Sequence, residues 1–265
     1  MGRSSNVFDQ VMRPADGAAW ITGASGGIGR AVALRLAAEG WTVHATARRP
    51  EALDALAEEA RAAGHPGRIL PLPADVTDPV AMREAVAAIE ADGGLALVLL
   101  NAGIYLPMRA GDFDAGKARK TFDVNLGGVV NGLDPVLKAM IARGRGHVAV
   151  TASVAGYGGL PGAAAYSATK AGLIAMCEAL AMDLMDLGVR ISVVNPGFVE
   201  TEATAVNEFE MPFLMTPDAA ARRIVEGLGR PGFEIAFPRR FAIFLRALNR
   251  LPNQLYFRAW RRLTR

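Results

Sequence analysis

Short apolar segments alternate with runs of helical periodicity along most of this chain, and that alternation narrows its architecture more than any other feature. "AAWIT" (Ala18–Thr22) precedes a helical run from Ile28 to Glu39, and "WTVHATA" (Trp41–Ala47) precedes another from Glu51 to Ala63. "RILPLPA" leads to "VAMREAVAAIEAD", and "LALVLL" (Leu95–Leu100) leads to a loop and a long helical region from Gly116 to Arg143. "GHVAVTAS" is followed by an alanine-rich helix, then by "VRISVVN" (Val189–Asn195) and "FEIAF" (Phe233–Phe237). Strands joined by helices of this length form right-handed crossovers and a parallel sheet. The sequence predicts an α/β fold, a doubly wound parallel sheet of about seven strands with helices on both faces. Ligand sites then belong at the carboxyl ends of the strands.

With 265 residues, 51% of them hydrophobic, one such domain can bury its core without a disulfide or a metal. The single cysteine, Cys177, sits in an apolar helical pattern, which fits a reducing compartment. His44, His65 and His147 have no ligand spacing, so no metal site is expected. Residues 1–17 read as a loose N-terminal extension without the apolar core of a signal peptide. No apolar run reaches the roughly 18 residues that span a bilayer, and a cytoplasmic location is expected.

The net charge of +3 is unevenly spread. From Arg239 onward there are eight arginines and no acids, and without that stretch 21 basic residues face 26 acidic ones. The chain therefore divides into the extension, a single domain over 18–238 and a basic helical tail over 239–265. In the tail, Phe241, Phe244, Leu245, Leu248 and Leu251 are predicted to share one face, with Arg239, Arg246 and Arg250 opposite. After Pro252 the pattern restarts, with Leu255, Tyr256, Ala259, Trp260 and Leu263 against Arg258, Arg261 and Arg265. Two readings stand side by side. The tail suits an anionic membrane surface, or its apolar face closes over the substrate pocket or a subunit interface. Nucleic acid is not expected as a partner, because the aromatics lie apart from the arginines.

The first strand runs into "TGASGGIGR". Gly23, Gly27 and Gly29 let the backbone turn and approach a diphosphate closely, and a helix starting near Ile28 offers free N–H groups to it. With Ser25 in the same turn, and with a strand before and a helix after, this loop is a candidate dinucleotide site in a Rossmann-type fold. The second strand ends in Ala47, Arg48 and Arg49, where an NAD-binding fold usually carries an acid. Two guanidinium groups suit a 2′-phosphate, so NADP(H) is preferred and NAD(H) is the second candidate; two solvated loop arginines are the plainer alternative. Asp75 and Val76 follow the third strand as candidates beside the adenine. Asn101, Ala102 and Gly103 follow the fourth, where backbone must pass close to the cofactor. Each of these is also ordinary turn chemistry when taken alone.

In "PGAAAYSATKAGL", Tyr166 and Lys170 are four residues apart on one helix face. A phenol with a pKa of about 10 becomes a useful acid-base group when a neighbouring cation favours its anion. Only four lysines occur against 25 arginines, so a lysine at 170 is a specific choice.

Together these segments resemble the short-chain dehydrogenase/reductase family. The matching motifs are "TGASGGIG", "NAG" at Asn101–Gly103, the asparagine of "DVNLGG", the serine of "TASVAG", "YSATK" and "NPGFVET", in family order over Thr22–Thr201. The resemblance implies that Tyr166 is the general acid in carbonyl reduction, that Lys170 supports its phenolate and binds the nicotinamide ribose, and that Ser153 hydrogen-bonds the substrate oxygen. It implies that Asn125 steadies a water leading from Lys170 to solvent, although a local helix-breaker would look the same. Pro196, Gly197, Val199 and Thr201 are implied at the nicotinamide and its neighbouring phosphate. The departures are mild: Leu100 and Ala152 stand where the family often has a second asparagine and a second serine. A homo-oligomer paired through the two long central helices is also implied.

The expected activity is NADP(H)-preferring interconversion of a carbonyl and a secondary alcohol on a hydrophobic small molecule or lipid. The rivals are a 3-oxoacyl-thioester reductase and a non-catalytic dinucleotide-sensing protein. The apolar residues expected to frame the substrate are Ile104, Tyr105, Leu106 and Met108 after the fourth strand, Leu160, and Phe209, Met211, Phe213 and Met215.

Overall fold

A computed structural model of the chain describes residues 7–205 and 211–263. Its strands are β1 (Ala18–Thr22), β2 (Thr42–Thr46), β3 (Arg68–Pro71), β4 (Leu95–Leu100), β5 (Gly146–Thr151), β6 (Val189–Pro196) and β7 (Glu234–Phe237). They form one sheet in the order β3-β2-β1-β4-β5-β6-β7, parallel at every pairing. The order reverses between β1 and β4, which opens a crevice above their carboxyl ends.

Helices α1 (Gly27–Ala38), α2 (Pro50–Ala62) and α7 (Pro217–Leu228) contribute Leu36, Leu53, Leu56 and Ile224 to the core on one face of the sheet. Helices α3 (Pro79–Ala91), α5 (Gly128–Arg143) and α6 (Ala164–Leu184) contribute Met82, Ile89, Val136 and Leu173 to the core on the other. Successive strand residues feed opposite faces: Ala19 and Ile21 join the first core, Ala18 and Trp20 the second. That two-sided burial is why the strands read as unbroken apolar runs. Each fully buried leucine contributes roughly 1.5–3 kcal/mol. Cys177 lies in the second core, where burial pushes its thiol up to about 12.

Three features depart from the sequence reading. The long helical region is split: α4 (Ala115–Phe122) leads through a π-helical turn over Asp123–Gly127 into α5. Helix α7 was not anticipated, although Thr216 caps it by accepting from Ala219 N and its buried positions recur at helical spacing. The described part of the N-terminal segment is packed rather than loose. Val7 and Met12 are buried, and the buried Arg190 of β6 donates to the carbonyls of Gln10, Arg230 and Gly232 at 2.9, 2.7 and 2.9 Å.

The tail forms α8 (Arg239–Asn249) and α9 (Asn253–Leu263). Phe241, Leu245 and Leu248 are buried as expected of one face, together with Ala242, but Phe244 and Leu251 are exposed. Their positions lie round the helix from the buried stripe, so the predicted stripe was too wide. On α9 only Tyr256, Ala259 and Trp260 are half-buried, while Leu255 and Leu263 are exposed. Arg246 is not left to solvent: it pairs with Glu234 and lies 4.5 Å over the Tyr157 ring. Arg265 falls outside the described residues.

Candidate active site

A cleft of about 1300 Å³ runs along the carboxyl ends of the strands. Of the catalytic and cofactor-binding residues expected from sequence, only Gly29 and Asn125 do not line it. At one end, β1 turns into α1. Gly23 has φ +69°, and a Cβ there would stand 2.8 Å from Ala102 Cα. Gly29 is buried: a Cβ on it would overlap the Gly23 carbonyl oxygen and sit 2.7 Å from Asn101 Nδ2. Its part is therefore to let α1 approach the turn, not to line the cleft. No side chain caps α1 at Gly26, so its first N–H groups point their dipole end into the cleft beside Ser25, Gly27 and Ile28. A glycine-rich turn under an uncapped helix start fits a diphosphate.

Thr22 knits this end together. Its hydroxyl accepts from Asn101 N at 2.9 Å and Ala102 N at 3.1 Å, and its carbonyl accepts from Asn101 Nδ2 at 3.3 Å. Arg48 and Arg49 are exposed on the cleft rim after β2. Asp75 faces the same space. Hydrogen bonds from the Thr77 backbone and hydroxyl, with a smaller pull from Arg48, hold its carboxyl below the usual range. Its carboxylate is thus engaged in its own turn, with Val76 beside it.

At the other end, α6 carries Tyr166 and Lys170 on one face. Lys170 Nζ lies 5.6 Å from the Tyr166 ring centroid and donates to the Thr151 carbonyl at 2.7 Å. Burial lowers the Lys170 ammonium to about 8. Burial also raises the Tyr166 phenol; a hydrogen bond from Ser153 opposes the rise and Tyr105 adds to it. Desolvation is the largest influence on both side chains. Ser153 begins the turn after β5, its hydroxyl accepting from Ala155 N at 3.1 Å.

Asn125 sits in the π-helical turn, fully buried. Its Oδ1 accepts from Ile104 N at 2.7 Å, and its Nδ2 donates to Ile104 O at 2.9 Å and reaches Thr169 Oγ1 at 3.3 Å. None of these bonds is to Lys170. Gly103 lies between them, where a Cβ would stand 3.3 Å from Asn125 Oδ1 and 3.6 Å from Lys170 Nζ. Such π turns are frequent at functional sites because they turn one side chain inward.

Pro196, Gly197, Val199 and Thr201 line the cleft after β6. Among the expected substrate-side residues, Ile104 and Leu106 line the cleft, and Tyr105 meets Tyr166 edge-on with centroids 5.1 Å apart. Met108 instead packs with Ala118 and Ala165, bridged to Ala163. Met215 is bridged to Val199 and packs against the sheet core, and Phe213 is exposed. Phe209 lies outside the described residues. Sequence reasoning missed the parts played by Thr22, Thr151, Arg119 and Lys120. The last two line the cleft from α4, and no local pattern distinguishes them from solvated helix charges.

The sequence profile described as "short chain dehydrogenase" matches residues 17–210. An uncharacterized oxidoreductase of Myxococcus xanthus is 43% identical over 246 residues, covering 92% of this chain and 96% of that one. The 3-oxoacyl-(acyl-carrier-protein) reductase FabG of Thermotoga maritima is 38% identical over 190 residues, covering 69% and 74%. A solved short chain dehydrogenase/reductase from Burkholderia phymatum, in complex with NAD, superposes with a TM-score of 0.78 at 26% identity, covering 89% and 94%.

Proposed function

The chain belongs to the short-chain dehydrogenase/reductase family, and from that premise we propose that it interconverts a carbonyl and a secondary alcohol on a hydrophobic small molecule or lipid, with NADP(H) preferred. Its class is that of a nicotinamide-dinucleotide-dependent oxidoreductase. One observation carries the finer reading: Tyr166, Lys170 and Ser153 meet in the same cleft as the glycine-rich turn under α1.

The bound nicotinamide dinucleotide supplies or takes up the hydride. Gly23, Ser25, Gly27 and Ile28 would hold its diphosphate, and Arg48 and Arg49 a 2′-phosphate. Tyr166, kept protonated at neutral pH by burial, is the proton donor to the carbonyl oxygen. Ser153 donates a second hydrogen bond to that oxygen and fixes its direction. Lys170, anchored on the Thr151 carbonyl, favours the phenolate that proton donation leaves behind. Asn125, close to Lys170 across Gly103, is the candidate for steadying a water through which solvent protons return to Lys170. A proton donor matched in this way is worth ~10²–10⁴-fold in rate.

The test is Tyr166→Phe, with a panel of aldehydes, ketones, sterols and acyl thioesters followed by NADPH absorbance. Turnover should fall by about 10²–10⁴-fold while NADPH affinity changes little. Undiminished turnover would remove Tyr166 from the chemistry. A wild-type protein that binds NADPH but turns over nothing would favour the dinucleotide-sensing alternative. Reduction of 3-oxoacyl thioesters is the second reading. It is favoured by the likeness to the Thermotoga enzyme and by Arg119 and Lys120 on the rim, which suit an acidic carrier. Pairing through α5 and α6, which expose Val130, Ile141 and Met182, is expected to give a homo-oligomer measurable by sedimentation.

A further inference from the structure

Helix α8 has two apolar faces. The inner one, with Phe241, Leu245 and Leu248, packs beside the cleft loops. Phe241 meets Phe198 with ring centroids 5.9 Å apart, and a Cβ on Gly197 would stand 3.3 Å from the Phe241 ring. The outer one follows steps of three and four residues through Arg240, Ile243, Phe244, Ala247 and Leu251, all exposed. Helix α9 presents Leu255 and Phe257 to solvent beside Arg258, Arg261 and Arg262. Its inner side is tied down, with the Tyr256 hydroxyl donating to the Gly159 carbonyl at 2.6 Å. Phe213, which holds the left-handed backbone conformation at φ +58° and is 59% exposed, lies against the inner-face ring of Phe241, centroids 5.9 Å apart. Such a conformation is unfavourable for a bulky side chain. An exposed aromatic held there is an outlier calling for a partner.

The charge on this surface is uncompensated. Among the described residues, Arg239, Arg240, Arg250, Arg258, Arg261 and Arg262 make no ion pair, whereas Arg30, Arg61, Arg143, Arg145 and Arg246 all do. Residues 239–265 contain no acid, so two copies meeting through this face would bring like charges together.

We propose that the outer face of α8 and α9, with Phe213, is a docking surface for an anionic phospholipid bilayer. Aromatic and aliphatic side chains enter the headgroup boundary and the unpaired arginines meet lipid phosphates. Docking sets the Phe198 side of the cleft next to lipid, so a hydrophobic carbonyl substrate reaches Tyr166 from the bilayer. That last step rests on the proposed activity; the binding itself does not.

The test is flotation of the full-length chain with vesicles of phosphatidylcholine, with and without phosphatidylglycerol, across a salt series. Binding should require phosphatidylglycerol and weaken with salt. Arg258→Gln/Arg261→Gln/Arg262→Gln should lower partitioning on the order of a hundredfold, at about tenfold or less per cation. Leu255→Ser/Phe257→Ser should lower it as well. Both variants should keep the wild-type circular dichroism and, if the proposed activity holds, the wild-type turnover of a water-soluble carbonyl. The proposal is overturned if folded wild-type protein ignores phosphatidylglycerol vesicles, if neither variant weakens binding, or if the arginine variant instead changes the sedimenting mass, which would make the face a self-interface. Vesicle binding without turnover of any carbonyl would leave the docking surface standing and remove the proposed activity.

Discussion

Lys170 places its ammonium 5.6 Å from the centroid of the Tyr166 ring while lending one N–H to the Thr151 carbonyl at 2.7 Å. A single carbonyl is poor compensation for a buried cation, and burial brings the group to about 8 from an ordinary 10.5. The unfolded chain therefore binds the proton more tightly than the native one. The cost to stability is full below about pH 8 and disappears as pH rises towards the unfolded value, so the native state gains stability across that window.

Lys170→Met should therefore abolish turnover and raise stability near neutral pH. The lost ammonium costs on the order of 3 kcal/mol by linkage, less what the Thr151 carbonyl loses, for a net gain of about 1–3 kcal/mol. Denaturant unfolding at a series of pH values checks this. The stability gap between the proteins should shrink as pH climbs from about 8 towards 10.5. A variant less stable than wild type at pH 7 would contradict it.

Arg48→Asp should reverse cofactor choice. The side chain stands on the cleft rim where a ribose 2′ substituent is expected, and a charge-assisted contact is worth roughly 1.5–3 kcal/mol. The ratio of kcat/KM for NADPH over NADH should fall by about ten- to a hundredfold. An unchanged ratio would return Arg48 to the solvated loop.

Asn125→Ala should cost more than its one side chain suggests. It strands both Ile104 N and Ile104 O, which have the Asn125 amide as partner. A buried unsatisfied group costs about 1–3 kcal/mol, so a loss of at least ~2 kcal/mol is expected in chemical unfolding. Turnover should fall further than stability, because the Ile104 loop borders the cleft. Equal activity at a temperature where the variant is fully folded would confine Asn125 to a structural part.

Glu234 is the hub of a network that fastens the tail to the loop after Ser153. Tyr157 and Asn195 donate to its Oε1 at 2.6 Å each, and Arg246 pairs with its other oxygen. Glu234→Leu should cost about 2–3 kcal/mol, since it leaves Tyr157 and Asn195 unpaired, while the exposed Arg246 regains water. Tyr157→Phe should cost only ~1 kcal/mol, because Glu234 keeps two partners. Near-equal losses in thermal or urea unfolding would show that the network is not centred on Glu234.

Much of this was readable along the chain because parallel sheets buried on both faces leave strands such as Leu95–Leu100 as plain apolar runs, bounded by the periodicity of the helices. The glycines of the first turn were readable because their constraint is local: glycine alone adopts a positive φ without a steric penalty and lets a helix press onto a carbonyl. Helix α7 escaped notice because its signal is a cap and a short stripe after a loop already assigned to the substrate. The π turn at Asn125 escaped because the sequence there remains helical in composition.

The order of elements, the glycine-rich turn after β1 and the Tyr166–Lys170 pair were determined by sequence alone, since each depends on neighbours within about one helical turn or one strand. Tertiary structure decided what those groups become. Burial, which arises only when α6 packs on the sheet, moves the phenol and the ammonium in opposite directions. Packing between distant segments turned Met108 into core, put Arg119 and Lys120 on the cleft, joined Arg246 to Glu234 and split α8 into an inner and an outer face. Those outcomes depend on distances between residues far apart in the chain, and a linear pattern carries no record of them.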